Sequence, residues 1–333
     1  LSLAGFAGAY KYFKYATPII NIDIPITGNQ AVEKANEIVA LQDTWHVTDQ
    51  AHALSFEQAA KVQNFAELEC GGVQSFIEMI DKKLYSPYRW HIRYFKELDP
   101  YEVHVYLNPD GTGHSFEVKL PETLLLPELS TAQARTIACH EAKENWNIDF
   151  NLYEEIESSQ NILPNGRIDH IFVYKRTDAI LGNEGQYRIL LGVAGNQVVS
   201  IVPHVHIPES FIKKFENMRS ANMTLSAVLS LLMVALYLVG GLLCALYFLI
   251  KNKRINSTTS LSIAGGAAIL ACLSSINELP AAYMGYSTAL SFTNYYLIIA
   301  LNIFRSGFGT FISIFTLCKA SSFRLVQQCR IFT

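Results

Sequence analysis

The sequence predicts an α+β exported domain, made of two repeated helix plus antiparallel-sheet modules, joined to an all-α transmembrane bundle. Three observations carry that expectation. Leu225 to Ile250 runs for 26 residues without a charge; at about 1.5 Å per residue it can cross a hydrocarbon core of roughly 30 Å with length left for tilt. Charge divides at Asn222: of a net charge of -3, the part from Met223 onward carries +6, with Glu278 its one acid, and the remainder carries -9. Before that division, two stretches each run from a polar-capped helix into alternating strands.

Residues 1–17 read as the end of a truncated N-terminal transmembrane helix, apolar and small up to Lys11 and Lys14, with a signal-peptide core as the alternative. The first α+β module spans 18–126. Ile20 to Pro25 alternates as a short strand stopped by proline, and Thr27 opens a helix with apolar positions at Ala31, Ala35, Ile38 and Val39. A second helix is expected after Ser55, with Gln58 completing a capping box, and a third from Val73 to Lys82. Tyr88 to Lys96 and Tyr101 to Leu107 alternate aromatic or branched residues with polar ones. Asn108-Pro-Asp-Gly111 then turns the chain into Ser115 to Leu120, an antiparallel meander with one face wet and one dry.

The second module, 127–210, repeats this plan. Its helix from Ser130 answers the one from Thr27, strand Arg167 to Arg176 answers Tyr88 to Lys96, and the hairpin Tyr187 to Ile207 answers Tyr101 to Leu120. Both hairpins close alike, in Lys119-Leu-Pro-Glu122 and His206-Ile-Pro-Glu209. A charged helical connector, 211–224, leads into the transmembrane helix 225–250. Lys251, Lys253 and Arg254 open a cytoplasmic loop, 251–260, by the positive-inside rule. Span 261–279, rich in Gly, Ala and Ser, is expected inside a bundle. An outer loop, 280–294, precedes span 295–317, and 318–333 forms a cytoplasmic tail with Lys319, Arg324 and Arg330.

The duplicated helix-and-sheet pattern resembles PepSY-type modules, which implies binding or restraint rather than catalysis. Three further stretches resemble large bacterial members of the CPBP family, the CAAX-protease-like intramembrane endopeptidases: Tyr15 to Thr27, Met218 to Leu225 with the span after it, and Asn277 to Phe292. The resemblance covers the part of such proteins that precedes their catalytic core. It implies chemistry carried by Glu-Glu-x-x-x-Arg, Phe-x-x-x-His and His-x-x-x-Asn/Asp within membrane helices, and it allows a divalent metal in a longer parent, none being expected in this chain. Here the adjacent glutamates Glu154 and Glu155 are followed by Ser159 where Arg is needed. His104 and Asn108 match the third pattern outside the membrane, and no histidine follows His206.

The chain is therefore expected to be the N-terminal sensory or substrate-gating and membrane-anchoring part of such a peptidase, itself inactive, with no catalytic residue to name. The brief polar tail, where relatives continue into further hydrophobic helices, and the absence of an initiator Met add the expectation of a fragment. The alternative is a complete membrane-anchored binding or regulatory protein whose exported domain takes a peptide or envelope component. Expected partners are the lipid bilayer, a peptide or protein substrate and the missing C-terminal transmembrane helices. The lack of a basic stripe argues against nucleic acid. The expected location is the cytoplasmic (inner) membrane, with residues 18–224 on its outer side.

Other residues invite chemistry more weakly. His204 and His206 share a strand face and could hold a metal, a surface pair being the alternative. His140-Glu141 lacks the second zincin histidine, its place being taken by Glu144. Cys70 and Cys139 could pair or remain free thiols; Cys244 and Cys272 read as packing residues within spans. Glu278 and Arg305 are polar membrane residues, either an ion pair or an interfacial acid and an arginine awaiting a further helix.

Overall fold

The computed structural model describes residues 22–42, 45, 47, 50–241, 243, 247 and 258–331. The expected helix end at 1–17, the start of the strand at Ile20, the basic turn Lys251 to Arg254 and Cys244 lie outside the described residues. The chain divides into two compact units. One takes in the chain to Phe211 together with Tyr283–Ala289; the other holds Ile212–Ala282 and Leu290 onward.

The first unit is built on one continuous antiparallel sheet of eight strands in the order β1-β2-β3-β4-β8-β7-β6-β5. The strands are β1 (Ala51–Gln58), β2 (Tyr88–Phe95), β3 (Glu102–Leu107), β4 (Gly113–Lys119), β5 (Tyr153–Ile162), β6 (Ile168–Leu181), β7 (Gly185–Ala194) and β8 (Gln197–His206). Strands β1 to β4 and β5 to β8 make two four-stranded meanders joined at β4 and β8, where Phe116 faces Ile201 and Glu117 faces Ser200. The hairpin turn at Asn108–Gly111 forms as expected: the Gly111 N–H donates to the Asn108 carbonyl at 2.9 Å, and Gly111 adopts φ +85°, which glycine reaches without strain.

Helices α1 (Gly28–Ala40) and α4 (Thr131–Glu144) begin with the same device. The side chains of Thr27 and Ser130 each accept the N–H of a glutamine three residues on, and that glutamine's side chain accepts the cap's own N–H. Each helix buries a row of small residues at matched positions, Ala31, Ala35 and Val39 in α1 and Ala134, Ala138 and Ala142 in α4. Alanine at these positions lets the helix backbone lie close over the sheet. Beneath the helices runs one apolar core that crosses the module boundary, through Ile92, Val105, Phe116, Ile201, Leu191 and Phe172. Successive members face each other across the ladders, so they share one sheet face.

Several expectations are corrected. The described part of the first strand, from Ile22, is irregular, because Asp23, Ile24 and Pro25 are exposed and no strand of the sheet pairs with them. Ser55 does not cap a helix: it lies within β1, and helix α2 starts later, at Ala60–Glu69, with no side-chain cap. Helix α3 (Val73–Asp81) matches its expected span. The meander has no wet face at β2 and β3, where His91, Arg93, Glu102 and His104 are 6–7% exposed. Strand β5 is an addition to the expected elements, since its residues, mostly exposed, do not alternate.

In the second unit the connector and the start of the expected first span form one helix, α5 (Glu209–Met233), continued by π-helical turns over Val234–Gly240. Helix α6 (Thr258–Asn277) is followed by the short α7 (Leu279–Ala282), and α8 (Phe292–Ile331) runs through the expected tail without a break. Three helices are long and apolar enough to cross a membrane, at Glu209–Leu236, Thr258–Asn277 and Phe292–Cys318. Among the described residues helix α6 is largely exposed along its apolar stretch. It packs on α8 where Gly307 meets Cys272, whereas Gly265 and Gly266 face open space.

The alanines at the helix–sheet contacts leave no room for a larger side chain. Ala138→Leu should lower the unfolding free energy by about 1–3 kcal/mol through overpacking, whereas Glu33→Leu on the exposed side of α1 should change it by no more than about 0.5 kcal/mol. Urea unfolding followed by tryptophan fluorescence measures both, since Trp45, Trp90 and Trp146 all lie in the sheet unit.

Candidate functional site

The sheet face opposite the apolar core carries charge where β1, β2 and β3 lie side by side. Alternation places Arg89, His91 and Arg93 of β2 on that face, and the register sets His91 beside Ser55 and Tyr106, and Arg93 beside Ala53 and His104. From the neighbouring strands come Glu57, Glu102 and Lys119.

Their side chains form one hydrogen-bonded chain. Glu57 Oε1 meets His91 Nδ1 at 2.5 Å, His91 Nε2 meets His104 Nδ1 at 2.9 Å, and His104 Nε2 meets Glu102 Oε2 at 3.1 Å. Arg93 closes the far end as a two-pronged donor to Glu102, from Nε at 2.9 Å and from Nη2 at 2.8 Å. At the near end Arg89 Nη2 lies 3.7 Å from Glu57 and its guanidinium sits over the Tyr106 ring. Tyr106 in turn stacks on His91 with centroids 4.3 Å apart.

Donor and acceptor roles along this chain follow from the tautomers of the two histidines. Both carboxylates can only accept, so His91 must carry a proton on Nδ1 and His104 one on Nε2. Burial first, and then the neighbouring His91 and Lys119, push His104 down to about 4. Burial raises Glu102, but the hydrogen bond and charge of Arg93, with Lys119 and His104, outweigh it and hold the carboxyl at about 2. Glu57 is lowered chiefly by its hydrogen bond with His91, against its own burial.

Arg93 has donors left after satisfying Glu102, and they are taken by backbone from far along the chain. Its Nη1 donates to the carbonyls of Tyr286 at 2.7 Å, Met284 at 3.2 Å and Tyr283 at 3.5 Å. Thr288 donates to Glu102 Oε1 at 3.3 Å, and the Thr288 carbonyl accepts the Leu98 N–H at 2.9 Å. Tyr286 is 2% exposed, its ring 5.3 Å from that of Phe95. Residues Tyr283–Ala289, which lie between α7 and α8 in sequence, are thus seated on the sheet. Arg167 does the same for the link between the meanders: it holds Asp169 and donates to the carbonyls of Pro121 at 2.9 Å and Leu124 at 3.2 Å.

The residues singled out from sequence lie elsewhere. His204 and His206 sit on β8 opposite Arg188 and Gln186, and burial lowers both. No group of three metal-ligating side chains occurs among the described residues. Cys70 and Cys139 are free thiols; Cys139 Sγ lies 3.3 Å from the Tyr174 hydroxyl, and Cys70 packs against Gly182. His140 and Glu141 lie on α4, where Glu141 accepts from Gln42 and Asn145. Among the described residues no ion pair joins Glu278 to Arg305. Sequence reasoning misses Glu57, His91, Arg93 and Glu102. Their signal is present as bases at alternate positions of one strand and acids in the strands beside it.

These shifts make stability depend on pH. His104, neutral in the folded state down to about 4, takes up its proton on unfolding at about 6.5, so stability should fall as pH drops between those values. Glu102, depressed to about 2 from 4.5, contributes stability that is lost on further acidification through that lower window. The buried His114, also lowered to about 4, acts in the same direction as His104. The urea midpoint of the wild type should therefore decline from pH 6.5 to 4, and His104→Gln should make that decline shallower without abolishing it.

No protein-family model matches the chain and no curated protein matches it. Among solved structures, the Bacillus megaterium YpeB C-terminal domain is similar over 53% of this chain and 62% of that one, less than two thirds of its length, at 9% identity and a TM-score of 0.31. A likeness at that score carries no argument about fold or role. The resemblance to intramembrane endopeptidases gains no support from these comparisons.

Proposed function

We propose that this chain is a membrane-anchored, non-catalytic sensory or gating module, in which an exported sheet domain governs the membrane helices by holding or releasing the segment that connects two of them. The observation that carries this reading is the seat of Tyr283–Ala289. Arg93, buried against Glu102, donates to three carbonyls of that segment, which α7 joins to the apolar helix α6 and Leu290-Ser291 joins to α8. A change of charge in the Glu57–His91–His104–Glu102 chain would alter what Arg93 can hold. The helices would then be the output and the sheet the input.

In this proposal the bilayer is the cytoplasmic membrane, with residues 18–224 and the seated segment on its outer side. The regulated centre is a hydrolytic one of the kind the sequence resembles, provided by further transmembrane helices, and a peptide or protein is its substrate. A second reading, a binding protein, is favoured by β5. This ten-residue strand ends the sheet and is largely exposed, so it offers an open ladder to which an extended peptide could add.

The test is a distance measurement within the helical unit. With native cysteines replaced and spin labels at Ile276→Cys on α6 and Leu297→Cys on α8, Arg93→Met should shift or broaden the interlabel distance by about 2 Å or more. The same distribution in both proteins would show that the sheet does not act on these helices.

A further inference from the structure

Outside the sheet, the group of most interest lies on α8, and its significance rests on the reading that α8 crosses a membrane. Arg305 stands at the midpoint of its apolar stretch Phe292–Cys318. At about 1.5 Å per residue, either end is about 20 Å away along the axis, too far for the guanidinium to reach the headgroups of a core whose half-thickness is about 15 Å. Arg305 is exposed and makes no hydrogen bond or ion pair with the described residues. A charge at that depth is tolerated where it faces a polar or charged partner.

Arg305 does not stand alone. Asn302 and Gly309 lie three residues before it and four after, on the same helix face. Both are exposed, Asn302 likewise makes no hydrogen bond with the described residues, and a side chain built at Gly309 would meet nothing within 4 Å. The opposite face of α8 is the one that packs on α6: Gly307 meets Cys272, whose thiol lies 3.8 Å from the Ile303 carbonyl. The face left open therefore combines a cation, an amide and a glycine that permits close backbone approach, the elements by which helices associate in lipid.

We infer that the Asn302, Arg305 and Gly309 face of α8 is a docking surface for a transmembrane helix of a second protein that carries an aspartate or glutamate at mid-depth. Charge complementarity selects this occupant over another copy of the same chain. Between Met223 and Thr333 the one acid is Glu278, beyond the end of α6 rather than at the middle of a span, so these helices of a copy in the same orientation would present no carboxylate at the depth of Arg305.

The experiment places the full chain in phosphatidylcholine vesicles at neutral pH with a fluorescent Leu/Ala transmembrane peptide bearing one central Glu, and compares it with the same peptide bearing Leu there. Energy transfer should show association at least about tenfold stronger for the Glu peptide. Arg305→Leu should remove that preference and Arg305→Lys should keep most of it, both proteins being checked for unchanged helicity. Equal association of the two peptides with wild type would overturn the inference. So would a preference that survives Arg305→Leu, or self-association of labelled chains that Arg305→Leu abolishes, since the face would then serve a second copy.

Discussion

The sheet unit depends on how Arg93 and Glu102 are buried together. Each is 6–7% exposed, and taking both charges from water costs several kcal/mol per ion before any attraction is counted. The cost is offset by geometry: two parallel N–H donors meet two carboxylate oxygens, and His104, Lys119 and Thr288 fill the remaining acceptor sites of Glu102. The remaining donors of Arg93 still need acceptors, and the ladder cannot supply them. The carbonyls of Tyr283, Met284 and Tyr286 do. The ion pair thus requires the distant segment as much as the segment requires the ion pair. Removing either charge would leave the other buried without its partner, a loss of about 3–5 kcal/mol.

The histidines extend this constraint along the strands. The two imidazoles bridge the carboxylates of Glu57 and Glu102, so β1, β2 and β3 are tied through side chains as well as through the ladder. The network lies on one sheet face while the apolar core lies on the other. The helices α1 and α4 can therefore pack with alanine against the core without disturbing it.

Much of this fold was legible in the sequence, for local reasons. The capping boxes at Thr27 and Ser130, the alternation of β2, β3 and β7, the Asn-Pro-Asp-Gly turn and the uncharged runs after Met223 each specify structure within a few residues. The repeated signals predict a duplication, and in the structure β1 to β4 and β5 to β8 form two meanders within one sheet. What stayed hidden was non-local. The segment Ala51–Gln58 carries a serine and a glutamine at capping-box spacing, yet pairing with β2 makes it a strand. Strand β5 is polar and exposed, so no periodicity marks it. Arg93 and Glu102 looked like the wet side of a meander, because nothing near them in sequence announces the segment from beyond residue 282 that covers them. The histidine pair of β8, by contrast, had the spacing of a site without the neighbours to make one.

The most direct test of the coupling is amide hydrogen exchange of Tyr283–Ala289 in the full chain, with wild type and Arg93→Met compared under conditions where both are folded. If the buried guanidinium holds the segment, its amides should exchange slowly in wild type and at least about tenfold faster in the variant, while those of β6 and β7 stay unchanged. Equal protection of the segment in the two proteins would mean that Arg93 does not hold it, and the link from sheet to helices would lose its physical basis.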